Sequence, residues 1–464
     1  MTEEQTDILI IGAGVAGLAA ARLLAHTGLR IQVLEARNRI GGRIFTCHDP
    51  TLSIPVDLGA EFIHGTPAEI WQIINAARLP VHEINGESWW SYQGTLHSAH
   101  DLWLKVDQIL RQIPQAGQRD CSFQDFLASL HLDDDEWDEA KTLATAFVEG
   151  FNAARSDRIS IQALGGDEEA GGQFRLVGGY DGVVNWLHAG LDPAGTVVRY
   201  NTVVTHIAWS RGAVEVHTHG PTGRELAPLR ATCAIITLPL GVLQAPPEQP
   251  GGVRFVPDPA EKRAAVQRLE MGPVIKITLR FRRRFWENSH HIHAGDGEGI
   301  RDLSFIHTRA ATFPTWWTAY PMLMPLLTGW AGGTAATRLT GQSELALVDQ
   351  AVEAVAQAFG VRRAWIEGLL DAWYTHDWQA DPFARGAYSY LAVGGLDVPA
   401  ILAQPIADTL FFAGEATNTT GHEATVHGAI ATGRRAAHEV LQRFTQPSCT
   451  DDRSKAIDKG RHNP

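Results

Sequence analysis

The stretch Asp7-Ile8-Leu9-Ile10-Ile11-Gly12-Ala13-Gly14-Val15-Ala16-Gly17-Leu18-Ala19-Ala20-Ala21 decides how this chain folds. Residues 7–11 form a short apolar run suited to a strand buried on both faces of a parallel sheet, and the glycines come next without a break. Leu18 to Leu24 continue as a strong helix former that stops near Thr27-Gly28. A second strand over 30–34 then delivers Glu35. Strand, glycine turn, helix, strand and acid in that order predict a dinucleotide site. Gly12 permits the tight turn, Gly14 lets backbone approach a pyrophosphate at the positive end of the helix, and Gly17 allows close helix-to-strand packing. Glu35 accepts hydrogen bonds from a ribose. The pattern by itself does not separate NAD from FAD.

The rest of the 464 residues suits a folded chain: 44 % are hydrophobic, and 39 Lys+Arg stand against 52 Asp+Glu for a net charge of −13. That acidic balance disfavours a phosphate-backbone binder, so no nucleic-acid partner is expected, and it leaves cationic partners open. No window approaches a membrane span, the longest candidate being 321–327, so no membrane partner is expected. The acidic start Met1-Thr2-Glu3-Glu4 lacks the basic region of a signal peptide, which points to a cytoplasmic protein. Cys47, Cys121, Cys233 and Cys449 are far apart and read as free thiols.

The residues after Glu35 narrow the cofactor. Glu35-Ala36-Arg37-Asn38-Arg39-Ile40-Gly41-Gly42-Arg43-Ile44 resembles the second fingerprint of the flavoproteins that include the amine oxidases, in which a glycine pair and an arginine close over the FAD pyrophosphate. Without that resemblance, Arg43 is a solvated loop arginine. Further along the chain come Asp57-Leu58-Gly59-Ala60-Glu61-Phe62-Ile63-His64-Gly65, Val177-Gly178-Gly179-Tyr180-Asp181-Gly182 and Thr237-Leu238-Pro239-Leu240-Gly241-Val242-Leu243. Met271-Gly272-Pro273-Val274-Ile275-Lys276 comes next, then Trp378 with Asp381-Pro382-Phe383-Ala384-Arg385-Gly386-Ala387-Tyr388-Ser389. The last is Leu410-Phe411-Phe412-Ala413-Gly414-Glu415-Ala416-Thr417 with Ala424-Thr425-Val426-His427-Gly428-Ala429. Over 7–437 this order resembles the flavin-containing amine oxidases, the group of monoamine oxidases, polyamine oxidases and lysine-specific histone demethylases. It is nearest in motif to soluble bacterial-type amine and polyamine oxidases.

The resemblance implies an α/β fold with a Rossmann-like FAD-binding domain, made of 1–80, 178–258 and 383–446, interleaved with a mixed-sheet α+β substrate domain of 81–177 and 259–382. It implies FAD contacts from Gly12, Gly14, Ala16 and Gly17, from Glu35, Ala36 and Arg37, and from Gly42 and Arg43. Gly59, Ala60, Glu61 and Phe62 are placed against the flavin. Val204 holds the adenine through its backbone, and Gly414, Glu415, Thr425, Val426 and Ala429 complete the set. Ala387 stands where mammalian-type monoamine oxidases carry the cysteine that joins flavin, so FAD is expected to be non-covalent.

Lys276 shows what the resemblance adds. In Val274-Ile275-Lys276-Ile277-Thr278-Leu279-Arg280-Phe281 the alternation puts Lys276 on the polar face, where it reads as a solvated strand residue. In the family, the lysine at this place holds a water against flavin N5. Tyr388 matches the tyrosine before the flavin ring, Trp378 the tryptophan ten residues upstream, and Thr425 the place of the second cage tyrosine. Glu61 stands where amino-acid oxidases of the superfamily carry an arginine that clamps the substrate carboxylate, so an anionic or neutral polar mouth that suits amines is expected, with Glu61 and Tyr388 as substrate contacts; His64 matches a position that meets a substrate amine, although a histidine without substrate contact is the plain reading. Glu149 is either a second acidic contact or a helix-end carboxylate.

Other features carry no site. The histidines of His422-Glu423-Ala424-Thr425-Val426-His427 are five apart, off a common helix face, so no zinc site is expected. Asp133-Asp134-Asp135-Glu136 lacks the pattern of a calcium loop, Arg282-Arg283-Arg284 reads as a strand-end surface cluster, and His290, His291 and His293 are not taken as metal ligands. A helix is expected over 345–359 and a disordered tail over 447–464. The reaction implied is oxidation of a primary or secondary amine, polyamine-like or monoamine, by hydride transfer to flavin N5. The imine is hydrolysed to an aldehyde, and molecular oxygen reoxidises FAD to give hydrogen peroxide. A catabolic cyclic-amine or monoamine oxidase, a desaturase or porphyrinogen-type oxidase, and a non-catalytic flavin-binding protein stay as alternatives, and the oligomeric state, monomer or homodimer, stays open.

Overall fold

The computed structural model describes residues 6–113, 119–132, 134–164, 172–287, 292, 300–310 and 312–445. Ile8–Ile11 is a strand with all four residues buried, paired in parallel with Ile31–Leu34 on one side and Cys233–Ile236 on the other. Thr196–Arg199 and Leu410–Phe412 extend this parallel sheet at its two edges. Three distant parts of the chain therefore build one sheet. Helices Val15–Leu24 and Val426–Thr445 pack against one another and, with Ile8, Ile10, Ile31 and Val33, form the core on one face. Each such buried aliphatic side chain contributes roughly 1.5–3 kcal/mol.

The second large sheet has seven strands in the order Leu370–Thr375, Val274–Phe281, Leu326–Gly332, Thr315–Thr318, Leu303–Thr308, Glu87–Tyr92 and Thr95–Ser98. It is mixed, because Leu303–Thr308 and Glu87–Tyr92 run parallel while the other neighbours are antiparallel. The expected helix is present as Glu344–Ala358, with Ser343 Oγ accepting from the Ala346 N–H at 3.3 Å and the stripe Leu347, Val348, Ala351, Val352 and Val355 buried.

The solvated reading of Lys276 fails here. Val274–Phe281 lies inside the sheet with both faces covered, and Lys276 is only 3 % exposed. Burying an ammonium is tolerated only where it is paired, which the site supplies.

Among the described residues no helix is long and apolar enough to cross a membrane. Cys47, Cys121 and Cys233 are free thiols. Cys449, His290, His291, His293, Asp133 and the expected tail lie outside the described residues, as do the side chains of 134–136.

Candidate active site

A single cavity of about 700 Å³ runs from the carboxyl edge of the parallel sheet to the face of the seven-stranded sheet. The glycine turn forms one end. Gly12 has φ +107°, which a side chain rarely adopts, and its added Cβ would stand 2.7 Å from Thr237 Oγ1. A Cβ on Gly17 would stand 2.0 Å from the Gly12 carbonyl oxygen, so helix and turn touch there. Gly14 differs, because a Cβ there meets nothing within 4 Å and the residue lines the cavity. It caps Val15–Leu24 without a side-chain hydrogen bond, leaving helix N–H groups toward open space. Glu35, held by the N–H groups of Ala13 at 2.8 Å and Arg37 at 2.9 Å, lies beside them. This end therefore fits a dinucleotide.

Ala16, Ala36, Arg37, Gly42 and Arg43 also line the cavity, as do Gly59, Ala60, Glu61 and Phe62, and Val204. So do Gly414, Glu415, Val426 and Ala429. Gly17 stands back from the wall and serves the packing of helix against turn. Arg37 donates to Asp381 at 2.7 and 2.8 Å, which ties the glycine-rich half to the segment carrying Tyr388. Burial pushes the Asp381 carboxyl up, but His376 and Arg37 outweigh it and hold it far below the usual range. Arg43 donates to Glu415 at 2.8 Å and to the Ala387 carbonyl at 2.9 Å. Glu415 also accepts from Ser389 and from the Ala424 N–H at 3.2 Å.

Lys276 forms the centre of the other end. Its Nζ lies 2.6 Å from Glu61 Oε2 and donates to the Gly59 carbonyl at 3.2 Å. Glu61 is simultaneously paired with Arg175 at 2.8 Å and accepts from Trp317 Nε1 at 3.1 Å. Burial pushes the Glu61 carboxyl up, but Lys276 and Arg175 hold it below its usual value. The expectation of Glu61 as an anionic mouth for substrate is thereby corrected: its charge is already balanced by two cations of the chain. Arg175 escaped the sequence reading because only the pairing of Gln173–Leu176 with Phe62–His64 brings it there.

Tyr388, Trp378, Phe62, Phe151, Trp317 and Trp330 line the same end. The Tyr388 hydroxyl donates to the Phe151 carbonyl at 2.8 Å, and Trp378 Nε1 donates to the Leu58 carbonyl at 3.0 Å, so both rings are fixed. Thr425 lines the cavity, but its hydroxyl donates to the His422 carbonyl at 2.8 Å and accepts from the Gly428 N–H at 2.9 Å. It caps the helix Val426–Thr445 and has no proton to give a reaction. Glu149 is no cavity residue: its Oε1 accepts from Ser156 and Thr334, so the helix-end reading holds.

Three imidazoles complete the wall. Burial pushes His64, His307 and His427 down to about 4, so all three are neutral near pH 7. His64 Nδ1 is buried and has no hydrogen-bond partner among the described residues. His422 precedes the helix, and its ring meets that of His427 at 4.8 Å, which a spacing argument on one helix did not anticipate. Among the described residues no three potential ligands converge as a metal site.

The neutral imidazoles make stability pH-dependent. A histidine whose folded value lies at about 4 against 6.5 contributes stability that is complete above pH 6.5 and lost as pH falls toward 4. The thermal midpoint is therefore expected to decline from about pH 6.5 to about pH 4.5, and less steeply in His307→Gln; identical slopes would contradict this assignment.

A nucleotide cradle that opens into an aromatic slot over one buried lysine is the arrangement of a flavin-dependent oxidoreductase. The chain matches the family model for flavin containing amine oxidoreductases over residues 15–129 and 88–441, and it belongs to that family. It is a flavin-dependent amine oxidoreductase. It is 29 % identical over 482 residues to polyamine oxidase 2 of Arabidopsis thaliana, across 96 % of this chain and 90 % of that one. To polyamine oxidase 3 of Oryza sativa subsp. japonica it is 31 % identical over 482 residues, across 94 % and 90 %. Putrescine oxidase, solved as the wild type bound to putrescine, shares the fold with TM-score 0.74 at 21 % identity, over 95 % of this chain and 99 % of that one.

Proposed function

We propose that this chain binds FAD without a covalent link and oxidises a primary or secondary amine of the polyamine class, with molecular oxygen as the final acceptor. The observation that carries the proposal is the continuity of one cavity from Gly14 to Lys276 and Tyr388. In this reading 1–80, 178–258 and 383–446 form the FAD-binding domain and 81–177 and 259–382 the substrate domain, and residues of both line the Lys276 end. Bound flavin supplies the hydride acceptor. The protein orients the amine and excludes water.

Each named residue has a task in this reading. Gly12, Gly14 and the N-terminus of Val15–Leu24 receive the pyrophosphate, with Arg43 kept in reach by Glu415. Tyr388 and Trp378 flank the amine. Lys276, fixed by Glu61 and Gly59, holds a water or a proton at the reacting centre. The apolar slot desolvates an incoming ammonium and favours its neutral form, whose lone pair the reaction requires. The neutral rings of His64 and His427 accept a hydrogen bond without repelling the amine. Ala387 offers a methyl group where a thioether would need sulfur, and no side-chain bond to the cofactor can form there.

The purified protein is expected to show an oxidised-flavin spectrum. Acid precipitation should release all of the flavin as FAD into the supernatant, and amines should yield hydrogen peroxide. Flavin that stays with the pellet would contradict the non-covalent assignment.

A further inference from the structure

The buried charges around Lys276 do not sum to zero. Lys276 Nζ lies 2.6 Å from Glu61 Oε2, and Arg175 lies 2.8 Å from Glu61 Oε1, so one anion holds two cations. Lys276 and Glu61 line the large cavity, whereas Arg175 does not. It stands behind Glu61, against a separate chamber of about 40 Å³ that it shares with Asp57, Thr278, Thr318 and Thr328. Its guanidinium donates to the Thr318 carbonyl at 3.3 Å and lies over the Phe62 ring, 5.0 Å from the centroid. Arg175 Nε is buried without a partner among the described residues, a cost that packing alone does not explain.

The two cations differ in kind. A guanidinium keeps its charge at any working pH, while an ammonium gives up a proton. With Lys276 as the ammonium the cluster carries one net positive charge; with Lys276 as the amine, Arg175 and Glu61 remain a balanced pair. Without Arg175 the second state would leave a buried carboxylate with only the Trp317 N–H, which is strongly unfavourable. The other titratable groups facing the cluster supply no cation in its place. Asp57 is itself an acid, pushed up to about 6 chiefly by burial. His82, opposite Arg175 in the neighbouring strand, is pushed down by burial and by Arg175 itself.

We propose that Arg175 is a positioning residue for the reaction: its fixed charge answers Glu61, so that Lys276 gives up and regains a proton without unpairing a buried carboxylate. This rests on the amine-oxidase reading and deepens it. An alkylammonium and oxygen give an iminium ion and hydrogen peroxide with no net proton. The proton that the ammonium sheds to become the neutral amine equals the one that peroxide needs beyond the hydride. Lys276, on the cavity wall, holds that proton between the two events.

The oxidised-flavin absorbance responds to a charge beside the ring, so a pH titration of the holoenzyme reads the proton on Lys276, with Lys276→Met as the blank. In Arg175→Gln the midpoint of the Lys276-dependent change is expected to rise by about one pH unit or more, because a like charge is lost and Glu61 holds the ammonium alone. Arg175→Lys restores a cation and should return most of the shift. The limiting rate of anaerobic flavin reduction by 1,4-diaminobutane should fall about tenfold at pH 7 in Arg175→Gln and recover as the pH is raised. Should Arg175→Gln not fold, Arg175→Gln/Glu61→Gln is compared with Glu61→Gln, where no carboxylate is left short of a partner, and the midpoint must again rise. A midpoint equal to that of wild type, a loss of rate that higher pH does not restore, or a wild-type spectrum that titrates as Lys276→Met does would overturn the proposal. If no amine reduces the wild-type flavin, the amine-oxidase reading fails, and the spectral titration still decides the role of Arg175.

Discussion

Lys276→Met is expected to slow flavin reduction or reoxidation by about 100-fold or more while FAD stays bound, as the loss of a group that holds a proton or water at the reacting centre does. The structure makes this a clean substitution. Methionine fills much of the lysine's space, and Glu61 keeps Arg175 at 2.8 Å and Trp317 Nε1 at 3.1 Å, so its buried carboxylate is not orphaned. The rates are measured separately by stopped flow, first with amine in the absence of oxygen and then by mixing the reduced enzyme with oxygen. Near-wild-type values in both would remove Lys276 from the mechanism. Glu61→Gln is the companion variant. It leaves Lys276 and Arg175 facing one another without an anion, and it should disturb the same step through the position of the ammonium.

Gly14→Ala and Gly17→Ala are expected to fail in opposite ways. At Gly17 the new methyl would sit 2.0 Å from the Gly12 carbonyl oxygen, backbone against backbone, so the fold should lose about 3 kcal/mol or more and the protein should be recovered poorly. At Gly14 the backbone is at φ −69°, ψ 176°, open to any residue, and a Cβ meets nothing within 4 Å. The apoprotein should then fold as wild type does, with a thermal midpoint within error, while FAD affinity falls about tenfold or more because the methyl occupies the space the pyrophosphate needs. Thermal midpoints of the apoproteins and FAD titration by fluorescence quenching separate the two cases. Equal losses of stability and FAD affinity in both variants would mean that Gly14 is a packing glycine too.

Much of this was legible in the sequence because its determinants are local. Ile8–Ile11, Gly12, Gly14, Gly17 and Glu35 lie within one supersecondary unit, where short-range geometry fixes the outcome. The later motifs gave the order of the chain, and their residues Lys276, Trp378 and Tyr388 do meet at one cavity. Charge partners were not legible. Glu61 reads as an anionic contact because Arg175 and Lys276 arrive from two other strands, and the choice between substrate contact and helix-end carboxylate stays open for Glu149 because Ser156 and Thr334 satisfy it only after folding. Lys276 itself reads as solvated because alternation reports two faces of a strand without reporting that both are covered. Glu423 and His427 are hidden inside a failed zinc spacing. His422 lies before the helix rather than on it, so the spacing rule does not apply, and Glu423 and His427 line the cavity.

The anaerobic titration of the purified protein with 1,4-diaminobutane tests the central claim most directly. The oxidised-flavin absorbance is expected to bleach in proportion to added amine without oxygen, and to return on admission of oxygen with release of hydrogen peroxide. Absorbance that stays unchanged with this diamine, with 1-aminobutane and with longer polyamines would contradict the account.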